Sequence, residues 1–198
     1  MQKEKKKIRI VCIMGKSGTG KSTVINDLVR LYPEVFYAVK SFTTREPREN
    51  DPEDLKTHVF SDVIKFNVDK AMGTIISEYH SDKGYYSWTT HSCFKKDKIN
   101  LYAIDPKACI EFIEKYSDIY DIYPIYIFIN DEERLERLKK RDNIDILPEE
   151  SHLSLDLLEP LFKTYMEPEL VLGYHSKKEN VQSFISKIIN LIVKRNIK

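Results

Sequence analysis

The sequence predicts an α/β protein whose core is a parallel β-sheet. Short apolar runs, typical of strands buried on both faces of a sheet, recur along the chain. Each run is followed by a segment with the apolar spacing of a helix, and the first run enters its helix through a glycine-rich turn. This alternation favours parallel strands with crossover helices, and 198 residues suit one domain spanning residues 1–198.

The individual elements follow from this spacing. The first apolar run, IRIVCIM, begins at Ile8, and the later runs NLYAI and YPIYIFI have the same buried character. Pro124 stands near the start of the third run, where a strand tolerates it. The predicted strands are residues 8–14, 100–104 and 123–129, and the predicted helices are residues 22–31, 106–116, 132–141 and 181–193.

Two regions interrupt the alternation. Residues from about 39 to 90 are rich in Thr, Tyr, Ser and charge, with short strand-like pieces between turn residues, which favours a small mixed α+β insertion. Residues 142–159 are acidic, contain leucines and have little periodicity, so we expect a mobile helical lid there. The core then consists of residues 8–38, 91–141 and 160–198.

Charge and cysteine content limit the classes of partner. The 32 basic and 31 acidic residues nearly cancel, so the chain lacks the overall basic field of a nucleic-acid-binding protein. The N-terminal MQKEKKK has no apolar core and the next apolar run is too short to cross a bilayer, so we expect a cytoplasmic protein without a membrane partner. Cys12, Cys93 and Cys109 fit no close metal or redox spacing and are expected to be reduced thiols.

Residues 15–22, GKSGTGKS, fit the phosphate-binding pattern G-x-x-x-x-G-K-[ST] between a predicted strand and a predicted helix. The glycines let the backbone turn its N–H groups toward a phosphate, and the helix N-terminus adds a partial positive charge. Lys21 is expected to reach the β- and γ-phosphates, and the Ser22 hydroxyl to bind Mg²⁺. The alternative is a glycine-rich turn without a ligand. The nucleotide-binding candidates are Gly15, Lys16, Ser17, Gly18, Thr19, Gly20, Lys21, Ser22 and Thr23.

A second candidate site contains Arg45 and Arg48, which flank Pro47 in the loop-like stretch SFTTREPREND. One arginine can donate two parallel hydrogen bonds to two oxygens of a phosphate, and it keeps its charge at any working pH. Two arginines can therefore form a clamp for a phosphate dianion. The alternative is a pair of solvated surface arginines. The nearby triphosphate motif favours the clamp.

The order of six short motifs resembles the guanylate kinase family. The chain contains GKSGTGKST, SFTTREPR, THVF, IISEYHSDKGYYSWTT, LYAID and ERLKKR in the order and at the spacing of that family, from Ile8 to about Arg141. The S-x-T-T-R-x-P-R element is not a general feature of P-loop proteins, so the resemblance is specific. It implies a three-layer P-loop NTPase fold with a parallel sheet core, an insertion that binds a nucleoside monophosphate, and a helical lid.

The resemblance also implies how the acceptor is bound. Guanine presents the N1–H and the N2 amino group as donors, which match carboxylate acceptors, whereas adenine would leave a buried carboxylate unpaired. The acceptor phosphate is then held by Arg45, Arg48 and Tyr86, and the base is faced by Ser41, Glu78 and Asp105.

The lid arginines implied by the resemblance are Arg137 and Arg141, which lie four apart and therefore on one helical face. They would contact the triphosphate while the γ-phosphoryl group is transferred. The alternative is an exposed helix face on which Glu133 and Glu136 are their partners. Residues 149–157 contain no third lid arginine. The expected catalytic residues are Lys21, Arg45, Arg137 and Arg141.

Several positions depart from the family pattern. His58 stands where a phosphate-binding tyrosine is expected, so it either donates to the phosphate or is a surface strand residue. Trp88 stands in place of a small hydroxyl residue at the base; either Thr89 takes that role, or Trp88 reshapes the pocket, or Trp88 packs in the core. Ala103 replaces a carboxylate expected near Mg²⁺, which leaves the metal on Ser22, water and the phosphates.

These features together predict ATP- and Mg²⁺-dependent phosphoryl transfer to GMP or dGMP, which yields GDP or dGDP. One alternative is a related P-loop kinase for another phosphorylated acceptor, such as a sugar phosphate. Another is a non-catalytic guanylate-kinase-like module that binds phosphopeptides. The expected partners are small-molecule nucleotides, and the chain is expected to be a monomer or a homodimer.

Overall fold

The computed structural model of the protein describes residues 7–49, 54–81, 83–143, 145–150 and 155–196. The strands are β1 Ile8–Met14, β2 Phe36–Ala38, β3 Ser41–Thr43, β4 His58–Phe60, β5 Ile75–His80, β6 Tyr86–Thr90, β7 Ile99–Ala103, β8 Tyr120–Phe128 and β9 Glu169–Leu172. The helices are α1 Lys21–Leu31, α2 Asp54–Thr57, α3 Val63–Ala71, α4 Pro106–Tyr116, α5 Asp131–Asp142, α6 Leu155–Tyr165 and α7 Lys178–Asn196.

The core is a five-stranded sheet in the order β2-β7-β1-β8-β9, and every neighbouring pair is parallel. The central strand β1 sends alternate side chains to opposite faces, as a pleated strand must. Ile10 and Met14 are fully buried in one apolar cluster, and Val11 and Ile13 are fully buried in another. Helices α4 and α6 contribute to the first cluster, and α1 and α7 to the second. The predicted three-layer α/β fold is therefore confirmed.

A second, mixed sheet lies within the region that the sequence marks as an insertion. Its order is β4-β3-β6-β5, with β3 parallel to β4 and β6 antiparallel to both β3 and β5. Trp88 on β6 is 1% exposed and stacks on Phe42, with ring centroids 5.3 Å apart. Its Nε1–H donates to the Asp69 carboxylate on α3 at 2.8 Å. Trp88 therefore packs the core of this small sheet.

The sequence did not predict the two strands at the edges of the main sheet. β2 and β9 have only three and four residues, which is too short for a clear periodic pattern. They pair with β7 and β8, so their conformation depends on strands distant in the chain. β9 pairs with β8 from Ile125 onward, so Pro124 lies in the half of β8 before that pairing begins.

The predicted lid, residues 142–159, is described only in part, because residues 144 and 151–154 lie outside the described ranges. Residues 145–150 form neither helix nor strand, and α6 crosses the predicted boundary at residue 159. Leu158 and Phe162 on α6 are buried in the same cluster as α4. The second half of the predicted lid is thus joined to a helix that packs on the core.

Candidate active site

A cavity of about 780 Å³ brings the phosphate-binding loop, the mixed sheet and α5 together at the carboxyl ends of β1 and β7. Ligands of parallel α/β sheets bind at this edge. Every residue predicted for the donor and acceptor sites lines the cavity except Lys16, Thr19, Arg45 and Tyr86. Apart from these four, the residues predicted for the two sites therefore surround the same cavity.

The phosphate-binding loop, residues 15–22, takes a conformation that favours glycine, as Gly15 and Gly20 illustrate. Gly15 has φ of +142°, and a Cβ there would lie 2.3 Å from the carbonyl oxygen of Ile127. Gly20, with φ of +101°, is the N-cap of α1. These glycines turn the chain sharply from β1 into α1, so the loop backbone lies against the cavity.

Lys21 is held by the loop itself. Its Nζ donates to the carbonyl oxygens of Gly15 at 2.6 Å and Lys16 at 3.0 Å. Burial lowers the pKa of Lys21 to about 8, although the nearby Glu150 carboxylate raises it. The ammonium group is therefore charged at neutral pH and lies where the phosphates of a nucleotide would be bound.

Two residues that the sequence analysis missed, Arg134 and Glu150, contact the loop. The Ser17 N–H donates to both carboxylate oxygens of Glu150, at 3.1 and 3.2 Å, and the Ser17 hydroxyl donates to it at 2.7 Å. Arg134 pairs with the same carboxylate, and its Nε–H donates to the Ser17 carbonyl at 3.0 Å. Arg134 precedes Arg137 and Arg141 by three and seven residues, so the periodicity of α5 was a signal for it.

Both predicted lid arginines line the cavity, and each also has an acidic partner. Arg137 donates to the Gly18 carbonyl at 3.2 Å and to Glu133 at 2.6 Å. Arg141 donates to the carboxylate of Asp142 at 2.9 and 2.6 Å. Arg137 is therefore already at the phosphate-binding loop.

The two arginines of the predicted clamp meet on a buried carboxylate, Asp54, that the sequence analysis did not identify. Asp54 is 2% exposed and accepts from Arg45 Nη1 at 2.8 Å and Arg45 Nη2 at 2.7 Å. It also accepts from the Arg48 N–H at 2.9 Å and the Arg48 guanidinium at 3.4 Å. His58 Nδ1 lies 3.3 Å away. Burial raises the pKa of Asp54, but the hydrogen bonds from Arg45 and Arg48 outweigh this and lower it to about 2.

Arg48 and His58 line the cavity, whereas Arg45 lies behind them on Asp54. Tyr86 also lies away from the cavity wall, because its ring stacks between Phe66 and His80 at centroid distances of 4.2 and 4.5 Å. The structure thus brings Arg48 and His58, but neither Arg45 nor Tyr86, to the cavity wall.

The residues predicted to face a base form a polar wall of the cavity. Thr89 Oγ1 lies 3.4 Å from Ser41 Oγ and 2.7 Å from the hydroxyl of Tyr102, a residue that the sequence analysis missed. Burial raises the pKa of Tyr102 to about 12, so this hydroxyl stays protonated. Glu78 on β5 is 45% exposed and pairs with Lys70 of α3 at 2.8 Å.

Asp105 has a structural role as well as a place in the cavity. Its carboxylate caps α4 by accepting from the N–H groups of Lys107 at 2.9 Å and Ala108 at 3.3 Å. Ala103 and Ser22 line the same cavity. Within the described ranges there is no group of three or more His, Cys, Asp or Glu side chains that could hold a metal by themselves.

None of the described helices has both the length and the apolar character needed to span a bilayer.

Three comparisons with known proteins agree. The family model for guanylate kinase matches residues 7–155. A guanylate kinase of Clostridium tetani (strain Massachusetts / E88) is 30% identical over 190 residues, which cover 89% of this chain and 85% of that protein. The crystal structure of guanylate kinase from Anaplasma phagocytophilum shares the fold, with a TM-score of 0.59 at 17% identity over 98% of this chain and 89% of that one. The chain therefore belongs to the guanylate kinase family of P-loop nucleoside monophosphate kinases.

Proposed function

We propose that this protein transfers the γ-phosphoryl group of ATP to GMP or dGMP, forming ADP and GDP or dGDP. The observation that supports this best is the single cavity, about 780 Å³, which is lined both by Lys21 of the phosphate-binding loop and by Arg48 of the acceptor side. Direct transfer needs both substrates in one space from which water is excluded.

On the donor side, Lys21 and the N–H groups of residues 15–22 would bind the β- and γ-phosphates. Arg137 already lies at the Gly18 carbonyl, and Arg141 lines the same cavity, so both can add positive charge as the γ-phosphoryl group leaves ADP. The Ser22 hydroxyl is an oxygen ligand of the kind that Mg²⁺ prefers. When bound, Mg²⁺ would neutralise charge on the phosphate oxygens; it keeps several waters, so one protein ligand suffices.

On the acceptor side, Arg45, Arg48 and Asp54 would act as one unit. Asp54 holds both arginines, and Arg48 and His58 line the cavity where the phosphate of the monophosphate would lie. Two guanidinium groups around one carboxylate leave a net positive charge, which attracts a phosphate dianion.

The base side supports guanine over adenine. Glu78 and Asp105 line the cavity together with Ser41 and Thr89. Carboxylates accept hydrogen bonds and cannot donate them when ionised, so they match the N1–H and N2 amino donors of guanine. Adenine presents an acceptor at N1, so a carboxylate that faces it gains no hydrogen bond there.

Catalysis in this arrangement consists of positioning and charge neutralisation. The acceptor phosphate oxygen attacks the γ-phosphorus, the bond to the β-phosphate oxygen breaks, and ADP leaves, so no covalent enzyme intermediate forms. We also propose that the insertion, about residues 39–90, and residues 145–150 of the predicted lid close over the substrates, since α6 packs on the core. Closure would exclude water, which otherwise hydrolyses ATP.

The test is the release of ADP from ATP and Mg²⁺ with GMP, dGMP, AMP, UMP, CMP or ribose 5-phosphate as acceptor. We expect turnover with GMP or dGMP at least about a hundredfold above AMP, since a site built to accept hydrogen bonds from a base discriminates strongly against a base that lacks those donors. Faster turnover with a sugar phosphate would assign the clamp to a different acceptor. No turnover with any acceptor, together with phosphopeptide binding, would identify a non-catalytic module instead.

A further inference from the structure

The donor side of the cavity contains a carboxylate of the chain itself. Glu150 accepts three hydrogen bonds from Ser17, two from its N–H at 3.1 and 3.2 Å and one from its hydroxyl at 2.7 Å. Its fourth contact is the guanidinium of Arg134. The Glu150 side chain is 13% exposed and that of Arg134 is 3% exposed, so this is a shielded pair and not a surface one.

These contacts are the kind that phosphate oxygens make. Backbone N–H groups, a hydroxyl and a guanidinium are the donors with which proteins bind phosphate, and charge-assisted bonds from them are the strong ones. Glu150 presents two anionic oxygens to all three types of donor at once. Lys21 meanwhile donates to the loop carbonyls of Gly15 and Lys16, so it too is satisfied by the chain.

We propose that Ser17 and Arg134 form an anion subsite of the donor pocket, that Glu150 occupies it in the free protein, and that a phosphate of the triphosphate replaces Glu150 there. The proposal rests on the proposed function only in taking a nucleoside triphosphate as the ligand. It makes Arg134 a third arginine of the donor side, on the same helix, α5, as Arg137 and Arg141.

The geometry explains why Arg134 can exchange partners without losing its place. Its Nη1 donates to Asp131 at 2.6 Å and its Nε to the Ser17 carbonyl at 3.0 Å. Both contacts are independent of Glu150, so only Nη2 changes partner when the carboxylate leaves. Arg134 therefore stays fixed against the phosphate-binding loop, which keeps the cost of ordering it low when phosphate binds.

The exchange sets the affinity for the donor. A triphosphate and an ionised Glu150 cannot share the subsite, because two anions would compete for the same hydrogens and repel each other. The apparent Kd is then the intrinsic Kd divided by the fraction of molecules in which Glu150 has left. Removing the carboxylate should tighten donor binding.

The experiment measures binding of ATP and of inorganic tripolyphosphate by calorimetry, without acceptor, for the wild type and two matched variants. Glu150→Gln removes the carboxylate charge from the subsite. Glu149→Gln removes the same charge one residue away at an exposed position. We expect Glu150→Gln to lower both Kd values about tenfold, which corresponds to about 1.4 kcal/mol, and Glu149→Gln to leave them within about twofold.

Each other outcome contradicts the proposal. Unchanged Kd values for Glu150→Gln would mean that Glu150 is not in the path of the phosphates. Equal tightening of ATP binding by Glu149→Gln would show that the net charge of the protein, and not the position of Glu150, sets the Kd. Weaker binding with a higher Mg²⁺ requirement would make Glu150 a ligand of the metal.

A third variant covers the case in which Glu150→Gln does not fold. Glu150→Asp keeps the charge but shortens the side chain by one methylene, so it should loosen the contact and tighten binding by a smaller factor. Arg134→Lys, which loses the planar fork, should weaken tripolyphosphate binding most when Glu150 is also Gln. Because no acceptor is present, these results are independent of the acceptor assay. A chain that phosphorylates GMP but shows no shift refutes only this proposal, and the reverse result refutes only the proposed function.

Discussion

The carboxylate of Asp54 accepts hydrogen bonds from both terminal nitrogens of Arg45, at 2.8 and 2.7 Å, and Asp54 itself is only 2% exposed. Arg45 was expected to face a phosphate, and it instead holds a carboxylate beneath Arg48. This pair gives the predicted clamp a structural role in the insertion, in addition to the acceptor role proposed for it.

Asp54 should make the insertion sensitive to acid. Its pKa is about 2 in the folded protein and 3.8 ordinarily, so the ionised form is favoured by folding. The resulting stability is fully present above about pH 4 and is lost as the pH falls toward 2. A shift of this size corresponds to about 2 kcal/mol of unfolding free energy. Urea unfolding between pH 5 and 2 should show this loss in the wild type, whereas Asp54→Asn should be less stable at pH 6 and less dependent on pH. Equal pH dependence in both proteins would contradict the assignment.

Arg45→Ala should damage the acceptor side selectively. We expect the KM for GMP to rise about 10- to 100-fold, because Arg45 holds the Asp54 carboxylate that positions Arg48 and adds positive charge beside it. The KM for ATP should change less than about threefold. The variant also leaves Asp54 buried with fewer partners, which costs stability.

The double variant Arg45→Ala with Asp54→Ala separates these two effects. It removes the unpaired carboxylate, so its thermal midpoint should recover relative to Arg45→Ala, while the KM for GMP stays high. Recovery of both the thermal midpoint and the KM for GMP would show that Arg45 has only a structural role. An equal rise in the KM values for GMP and ATP would contradict the proposed clamp.

Donor binding should weaken in mild alkali. Lys21 has a pKa of about 8 in the free protein, so it loses its charge as the pH rises through that value. The Kd for ATP should be constant near pH 7 and increase about tenfold per pH unit well above about pH 8. The reason is that ATP binds the protonated form of Lys21, and the fraction of that form falls about tenfold per pH unit above its pKa. Glu150 raises the pKa of Lys21, so Glu150→Gln should move the inflection to lower pH. Titration by fluorescence or calorimetry checks this. Lys21→Met should show no inflection and bind more weakly throughout.

Trp88→Phe should affect stability more than catalysis. The substitution keeps the aromatic stack on Phe42 but leaves Asp69 without the indole N–H donor, which costs about 1–3 kcal/mol. The KM for GMP should change less than about threefold, since the polar edge of Trp88 faces Asp69. Chemical unfolding and steady-state kinetics measure the two effects. A large change in KM at unchanged stability would show that Trp88 instead shapes the base pocket.

Much of the fold, the glycine-rich loop and the arginine pair could be predicted from the sequence, because their signals are local. The turn at Gly15 and Gly20 needs glycine for its φ values, and the apolar run of β1 must be buried on both faces. Arg45 and Arg48 share one short motif with Pro47. Periodicity and spacing contain all of this information.

The partners of those segments depended on tertiary structure. Glu150 reaches Ser17 across 133 positions of sequence, and Tyr102 meets Thr89 between different sheets. Nothing in the spacing of an isolated glutamate or tyrosine distinguishes it from a solvated side chain or a core residue. The short strands β2 and β9 likewise exist because β7 and β8 supply their hydrogen bonds.

The sequence by itself determined that a glycine-rich loop of the phosphate-binding pattern and an arginine pair occur in one α/β chain, since glycine geometry and guanidinium chemistry belong to the residues. Only the tertiary structure decided which carboxylates those groups meet. A charge acquires a partner through the folding of distant segments, and burial then determines how strongly the two interact. Arg45 thus pairs with Asp54, and Ser17 donates to Glu150, in a protein whose proposed substrates are nucleotides.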